Sequence, residues 1–213
     1  MPETSMPETS MPETSTPEPA AAGAGAPLRL AVIIGSTRQG RFGPTVANWF
    51  AGRAAAREDL DVDLIDLAEA PLPALGHGPG SVRAGAQIAP RLAAADAFVV
   101  VTPEYNHSFP APLKNAIDAH NQEWHAKPVG FVSYGGISGG LRAVEQLRPV
   151  FAELHAVTVR ATVSFSNPWD RFADDGRPLR PEDCEGPAKY LLDQITWWAI
   201  ALRNARAAHP YAS

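Results

Sequence analysis

The amino-acid sequence predicts an α/β fold: a five-stranded parallel sheet with helices on both faces. Three observations lead there. From Leu28 onward, short apolar runs alternate with longer amphipathic stretches, which is the pattern of repeated βαβ units. The apolar runs are nearly continuous, as in strands buried on both faces. About 180 residues follow this pattern with no linker inside them, enough for one domain to bury a core.

The elements follow in order. Residues 28–34 (LRLAVII) form the first strand. A helix near 44–57 repeats Val46, Trp49, Phe50 and the aliphatic stem of Arg53 at helical spacing, and Pro44 suits its first position. The second strand covers 62–67, a helix lies near 81–95, and the third strand covers 97–102. The helix near 111–121 gathers Leu113, Ala116 and Ile117 on one face, with Lys114, Asp118 and Asn121 on another. The fourth strand covers 129–134. The helix near 138–154 repeats Leu141, Val144, Leu147, Phe151 and Leu154. A fifth strand at 157–165 and a helix at 181–208 complete the domain, here residues 27–213. Residues 166–181 are expected to form a surface loop with a tight turn at 174–177, and residues 68–80 carry no assignable motif.

Residues 1–26 differ in kind. Three copies of MPETS, then Pro17, Pro19 and an Ala/Gly run, have no apolar periodicity and cannot offset the entropy of ordering. This tail is expected to be disordered. It has neither the basic start nor the apolar stretch of a secretory signal.

The 18 lysines and arginines face 23 acids, for a net charge of −5. Four of those acids, Glu3, Glu8, Glu13 and Glu18, lie in the tail, leaving 18 basic and 19 acidic residues, a balance of −1, from residue 27 on. Such a body lacks the basic field that nucleic-acid binding needs. No apolar run approaches a membrane span. Cys184 is the only cysteine, so it forms no internal disulfide, and an unpaired thiol fits a reducing, cytoplasmic compartment. Its acidic surroundings should raise its pKa and exclude a nucleophilic role.

Ligands of open parallel sheets bind beyond the carboxyl ends of the strands, and three loops there are unusual. The first, Gly35-Ser36-Thr37-Arg38-Gln39-Gly40-Arg41-Phe42-Gly43-Pro44, offers hydroxyls, arginines and backbone amides at a helix N-terminus. It lacks the second glycine of the dinucleotide fingerprint, and the lysine and hydroxyl of the nucleoside-triphosphate loop. It suits one terminal phosphate monoester, as in a mononucleotide cofactor. The second, TPEYNHSFPAP at 102–112, is stiffened by three prolines and presents Pro103, Glu104, Tyr105 and Asn106 to a flat polar ligand. The third, Ser133-Tyr134-Gly135-Gly136-Ile137-Ser138-Gly139-Gly140, has four glycines in six residues and allows close approach to a planar ligand. His107 is read as a solvated spacer. Trp197 and Trp198 are read as core and interface packing.

GSTRxGR after the first strand, TPEYNxSxPxxLKNAID after the third and FVSYGGxSGGxRA around the fourth together resemble the NADPH-dependent FMN reductase family of flavodoxin-like flavoproteins. The resemblance covers roughly residues 28–165 and continues into the last helix. It implies strand order 2-1-3-4-5, bound FMN, and NADPH or NADH as co-substrate. It places the phosphate at Ser36, Arg38 and the backbone of Gly40, Arg41, Phe42 and Gly43. It places the isoalloxazine against Pro103, Glu104, Tyr105 and Asn106, with Ser133, Tyr134, Gly135 and Gly136 opposite. Flavin N5 carries the chemistry, so no catalytic side chain and no metal is expected. The partner is then a small acceptor such as a flavin, quinone, azo compound or metal ion. The alternatives are a flavodoxin-type electron carrier, which a body charge of −1 disfavours, and a module that keeps the fold without flavin. The family also implies a homodimer or homotetramer meeting through the 113–121 helix; an isologous contact there is expected to set Lys114 of one chain against Asp118 of another.

Overall fold

Parallel pairing runs through the whole sheet of the computed structural model, which describes residues 26–70 and 87–212. The strands are β1 (Leu28–Ile34), β2 (Leu60–Asp66), β3 (Ala97–Pro103), β4 (Pro128–Gly135) and β5 (Val157–Ser166), in the order β2-β1-β3-β4-β5. This is the flavodoxin-like order. The helices are α1 (Gly43–Ala55), α2 (Ala89–Ala94), α3 (Ala111–Asp118), α4 (Leu141–Glu153) and α5 (Glu185–Ala208). The expected tail and the first part of the helix near 81–95 lie outside the described residues.

Strand alternation divides the core in two. Leu28, Leu30, Val32 and Ile34 of β1, with Val99 and Val101 of β3, face α1 and α5. Ala31, Ile33, Phe98 and Val100 point the other way, toward α2, α3 and α4. Side chains of a strand alternate sides, so these runs must be apolar throughout to meet two helical layers. Gly130 on β4 lets α5 lie close: a Cβ there would stand 2.5 Å from Ile195 Cδ1.

Several ends differ from expectation. α4 begins at Leu141 because Gly139 and Gly140 hold φ of 62° and 86°, which no right-handed helix contains. α3 stops at Asp118, where the buried Trp124 indole N–H donates to the carbonyls of Ile117 (3.3 Å) and His120 (3.1 Å). A short 3₁₀ turn over Pro181–Asp183 precedes α5. The expectation that Trp197 and Trp198 pack in the core is corrected: α5 buries Leu191, Leu192, Ile195 and Ala199, Trp197 falls on the opposite side at 64% exposed, and Trp198 flanks the buried stripe at 36% exposed. Lys114 Nζ donates to Asp118 within α3 at 2.7 Å, so this pair is satisfied in one chain without a second copy. The turn at 174–177 forms, with Gly176 at φ 80° and the Ala173 N–H donating to Arg177. Among the described residues, no helix is long and apolar enough to cross a membrane.

Candidate cofactor-binding site

β1, β3 and β4 end at one edge, and the loops that leave them are joined there by side chains. Loop 1 leaves β1 through Gly35, whose N–H donates to Val101 O at 2.9 Å. Ser36 is buried, and its hydroxyl shares a 2.6 Å hydrogen bond with the Tyr105 hydroxyl of loop 2. The exposed Arg38 guanidinium stacks on the Tyr105 ring, 3.5 Å from its centroid. Gly40, at φ 67°, turns the chain toward α1. Among the described residues, Arg38 has no acidic partner. At Phe42, α1 starts without a side-chain cap and without an acid in its first turn. Its first N–H groups are therefore left to a ligand or to water.

Arg41 is used differently. It makes a bidentate pair with Asp66 at the end of β2 (2.5 and 2.6 Å) and donates to Ser36 O at 2.6 Å. The hydrogen bond to Asp66 raises its pKa above the ordinary value. Its charge is neutralised, so its side chain shapes loop 1 and leaves Arg38 as the loop's uncompensated cation. Phe42 packs against Phe172 with centroids 5.7 Å apart, beneath the loop.

Loop 2 continues from Pro103, the buried end of β3. Tyr105 and Ser108 exchange both backbone hydrogen bonds (2.8 and 3.0 Å), closing a two-residue turn. Its central residues, Asn106 and His107, have φ of 50° and 70° and are exposed. Left-handed pairs of this kind make a type I′ turn, for which asparagine is favoured. Among the described residues, none accepts from the backbone N–H of Asn106 or His107.

The Glu104 carboxylate points away from that turn. Its oxygens accept from Ser138 Oγ (2.5 Å), the Arg142 amide (3.2 Å) and the Arg142 guanidinium (3.1 Å). Burial alone would raise its pKa, but these donors outweigh it and hold the carboxyl below its ordinary value. Glu104 thus ties loop 2 to loop 3 and α4.

Loop 3 is drawn onto β4 and β5. Ser133 Oγ and Ser164 Oγ both donate to Gly139 O at 2.9 Å. A Cβ on Gly140 would stand 2.7 Å from the Tyr134 backbone N, so that glycine serves packing within the chain. Gly135 O accepts from Asn167 N at 2.7 Å. Gly136 is exposed, with open space where a Cβ would lie, and the neighbouring Ile137 is 89% exposed. The Tyr134 ring is only 5% exposed and lies in the α1/α5 core, with its hydroxyl 2.9 Å from where a Gly43 Cβ would be. Burial pushes this phenol above its ordinary pKa, with the Ser36 hydroxyl beside it opposing part of the rise. Its ring offers no face to the edge; only its backbone does.

Sequence reasoning assigns no role to Asp66, Ser138 or Arg142, which act on these loops, or to Gln146, whose amide donates to His107 O at 2.7 Å. Cys184 is buried and its thiol is pushed up to about 11, chiefly by burial and then by Glu185 and Asp183. Among the described residues, no group of three or more His, Cys, Asp or Glu could hold a metal ion.

The arrangement fits a phosphorylated planar ligand. Ser36, the uncompensated Arg38 and the uncapped start of α1 supply a hydroxyl, a cation and N–H donors at one end. The Asn106–His107 turn and the open backbone of Gly136 supply polar groups and room at the other.

Comparison with known proteins agrees with this chemistry. The family model described as NADPH-dependent FMN reductase matches residues 28–170. An NAD(P)H-dependent FMN reductase of Schizosaccharomyces pombe is 38% identical over 121 residues, 53% of this chain and 60% of that protein. A 2-hydroxy-1,4-benzoquinone reductase of a Burkholderia species is 32% identical over 182 residues, 80% of this chain and 96% of its own. Among solved structures, the flavoenzyme NAD(P)H:(acceptor) oxidoreductase of Paracoccus denitrificans superposes with a TM-score of 0.62 at 22% identity, covering 83% of this chain and 98% of that one. That likeness is one of fold.

Proposed function

The chain belongs to the NADPH-dependent FMN reductase family, and from that premise we propose how its own residues serve an FMN-dependent NAD(P)H oxidoreductase. The observation that carries the reading is the joining of three loops at one edge, through Ser36–Tyr105, Arg38–Tyr105 and Glu104–Ser138–Arg142. Ser36, Arg38 and the backbone of Gly40, Arg41, Phe42 and Gly43 bind the phosphate. The Arg41 side chain holds the loop in shape through Asp66. The backbone of Pro103, Tyr105, Asn106, Ser133, Tyr134, Gly135 and Gly136 borders the ring, and Glu104 fixes the distance between loops 2 and 3. When bound, FMN supplies the hydride chemistry between the reduced nicotinamide and the acceptor. The chain's part is to bind, orient and leave one side of the site open.

A small flat acceptor of the quinone class fits an edge rimmed by Gly136 and the exposed Ile137, and the Burkholderia relative is named for such a substrate. The rival reading as an electron carrier has less support, since the relatives are reductases and the body charge is −1. A second copy meeting through the outer face of α3 would wall the open side, making the assembly a homodimer or homotetramer. A buried, reduced Cys184 is in keeping with a cytoplasmic protein. The test is NAD(P)H oxidation with a quinone, together with heat release of the chromophore and its identification by mass. Turnover and FMN are expected; FAD alone, or no quinone-dependent oxidation, contradicts the reading.

A further inference from the structure

Loop 2 is held from the side by a residue outside every motif above. Gln146 of α4 uses both ends of its amide: Nε2 donates to His107 O at 2.7 Å, and Oε1 accepts from Ser108 Oγ at 2.6 Å. These bonds clamp the turn whose two central residues stand in the left-handed region. A residue with a Cβ adopts that shape at a cost, so the turn persists only if its surroundings enforce it. Gln146 lies one helical turn after Arg142, whose amide and guanidinium hold Glu104. One face of α4 therefore grips the 104–108 segment at both ends. Gln146 is exposed, while its neighbour Leu147 fills the core, so packing does not account for its amide.

We propose that Gln146 is a positioning residue for the flavin ring: it locks the Asn106–His107 turn so that its free N–H groups stay aimed at the ligand's polar edge. This rests on the reading that loop 2 receives the ring of FMN. The consequence is specific, because Gln146 contacts His107 and Ser108 at the ring end and no residue assigned to the phosphate.

The experiment titrates apoprotein with FMN and with riboflavin, which has the ring and no phosphate. Gln146→Ala should weaken both by the same factor, about tenfold for two lost hydrogen bonds. Gln146→Glu should do so as well, since it turns a carboxylate oxygen toward the His107 carbonyl. Alanine suits an exposed helical site, so the urea midpoint should not move. Adding His107→Gly to Gln146→Ala should return part of the affinity, because glycine takes a positive φ without strain. Wild-type affinity for both flavins in Gln146→Ala, a loss for FMN alone, or no recovery with His107→Gly would each overturn the proposal. Wild-type protein that binds neither flavin would instead overturn the reading on which it rests.

Discussion

The two edges of the sheet are both rich in polar side chains, and they are completed in opposite ways. At the amino edge the buried Lys127 ammonium donates to Leu92 O and Ala93 O, both at 2.9 Å, satisfying the last carbonyls of α2. Arg206 donates to Ala126 O and pairs with Asp96, which also meets Arg203. His125 and His155 stack on each other, and Tyr211 bonds to His155 at 2.9 Å. At the carboxyl edge, by contrast, among the described residues Arg38 has no acidic partner, α1 has no side-chain cap and the N–H groups of Asn106 and His107 have no acceptor. Polar groups at the first edge have their partners within the protein. At the second, Arg38 and the first N–H groups of α1 are left without one among the described residues.

The largest effect that would sharpen this contrast is on folding, at the glycine that seats loop 3. In Gly140→Ala the new Cβ meets the Tyr134 backbone at 2.7 and 2.9 Å, at a φ of 86°. We expect a loss of about 3 kcal/mol or more in urea unfolding, from overpacking and left-handed strain together. Gly136→Ala, which faces open space, should stay close to wild type.

Next comes the uncompensated cation. Arg38→Ala should cost about 1.5–3 kcal/mol of FMN binding, roughly a 10- to 150-fold loss by fluorescence titration, with the fold unchanged. Unchanged affinity would break the comparison at its key residue. Arg41→Ala should act differently: it strips Asp66 of its partner, so stability should fall along with affinity.

A different kind of effect belongs to the completed edge. Burial pushes Lys127 down to about 8, below the ordinary lysine value, so the unfolded chain holds this proton over a range in which the folded chain has lost it. Stability should therefore gain as pH rises from about 8 to 10, relative to Lys127→Met, in which this site does not titrate. Parallel urea titrations across that range measure the gain, and FMN affinity should not follow it.

Much of this was legible in the sequence. The alternation of apolar runs and amphipathic stretches located five strands and their helices, because a strand covered on both faces must be apolar at every position. The resemblance sets Tyr134 against the ring without separating side chain from backbone; its side chain shares strand parity with Val132 and enters the α1/α5 core. Helical spacing likewise puts Trp197 opposite the Leu191–Ile195 stripe, which the core reading of that residue overlooks. The pairings were harder to read. Arg41 meets Asp66 only because β1 and β2 pair in parallel with Ile34 beside Asp66. Glu104 meets Arg142 only because α4 returns across loop 2. Such contacts depend on register and crossover geometry that no local pattern contains.

The central claim is that the carboxyl edge holds FMN by its phosphate. Titrating wild-type apoprotein with FMN and riboflavin under identical conditions tests it most directly. Two or more charge-assisted hydrogen bonds at Ser36, Arg38 and the start of α1 predict that FMN binds at least about 100-fold more tightly. Equal affinity for the two flavins would contradict the claim and return loop 1 to an ordinary strand-to-helix turn.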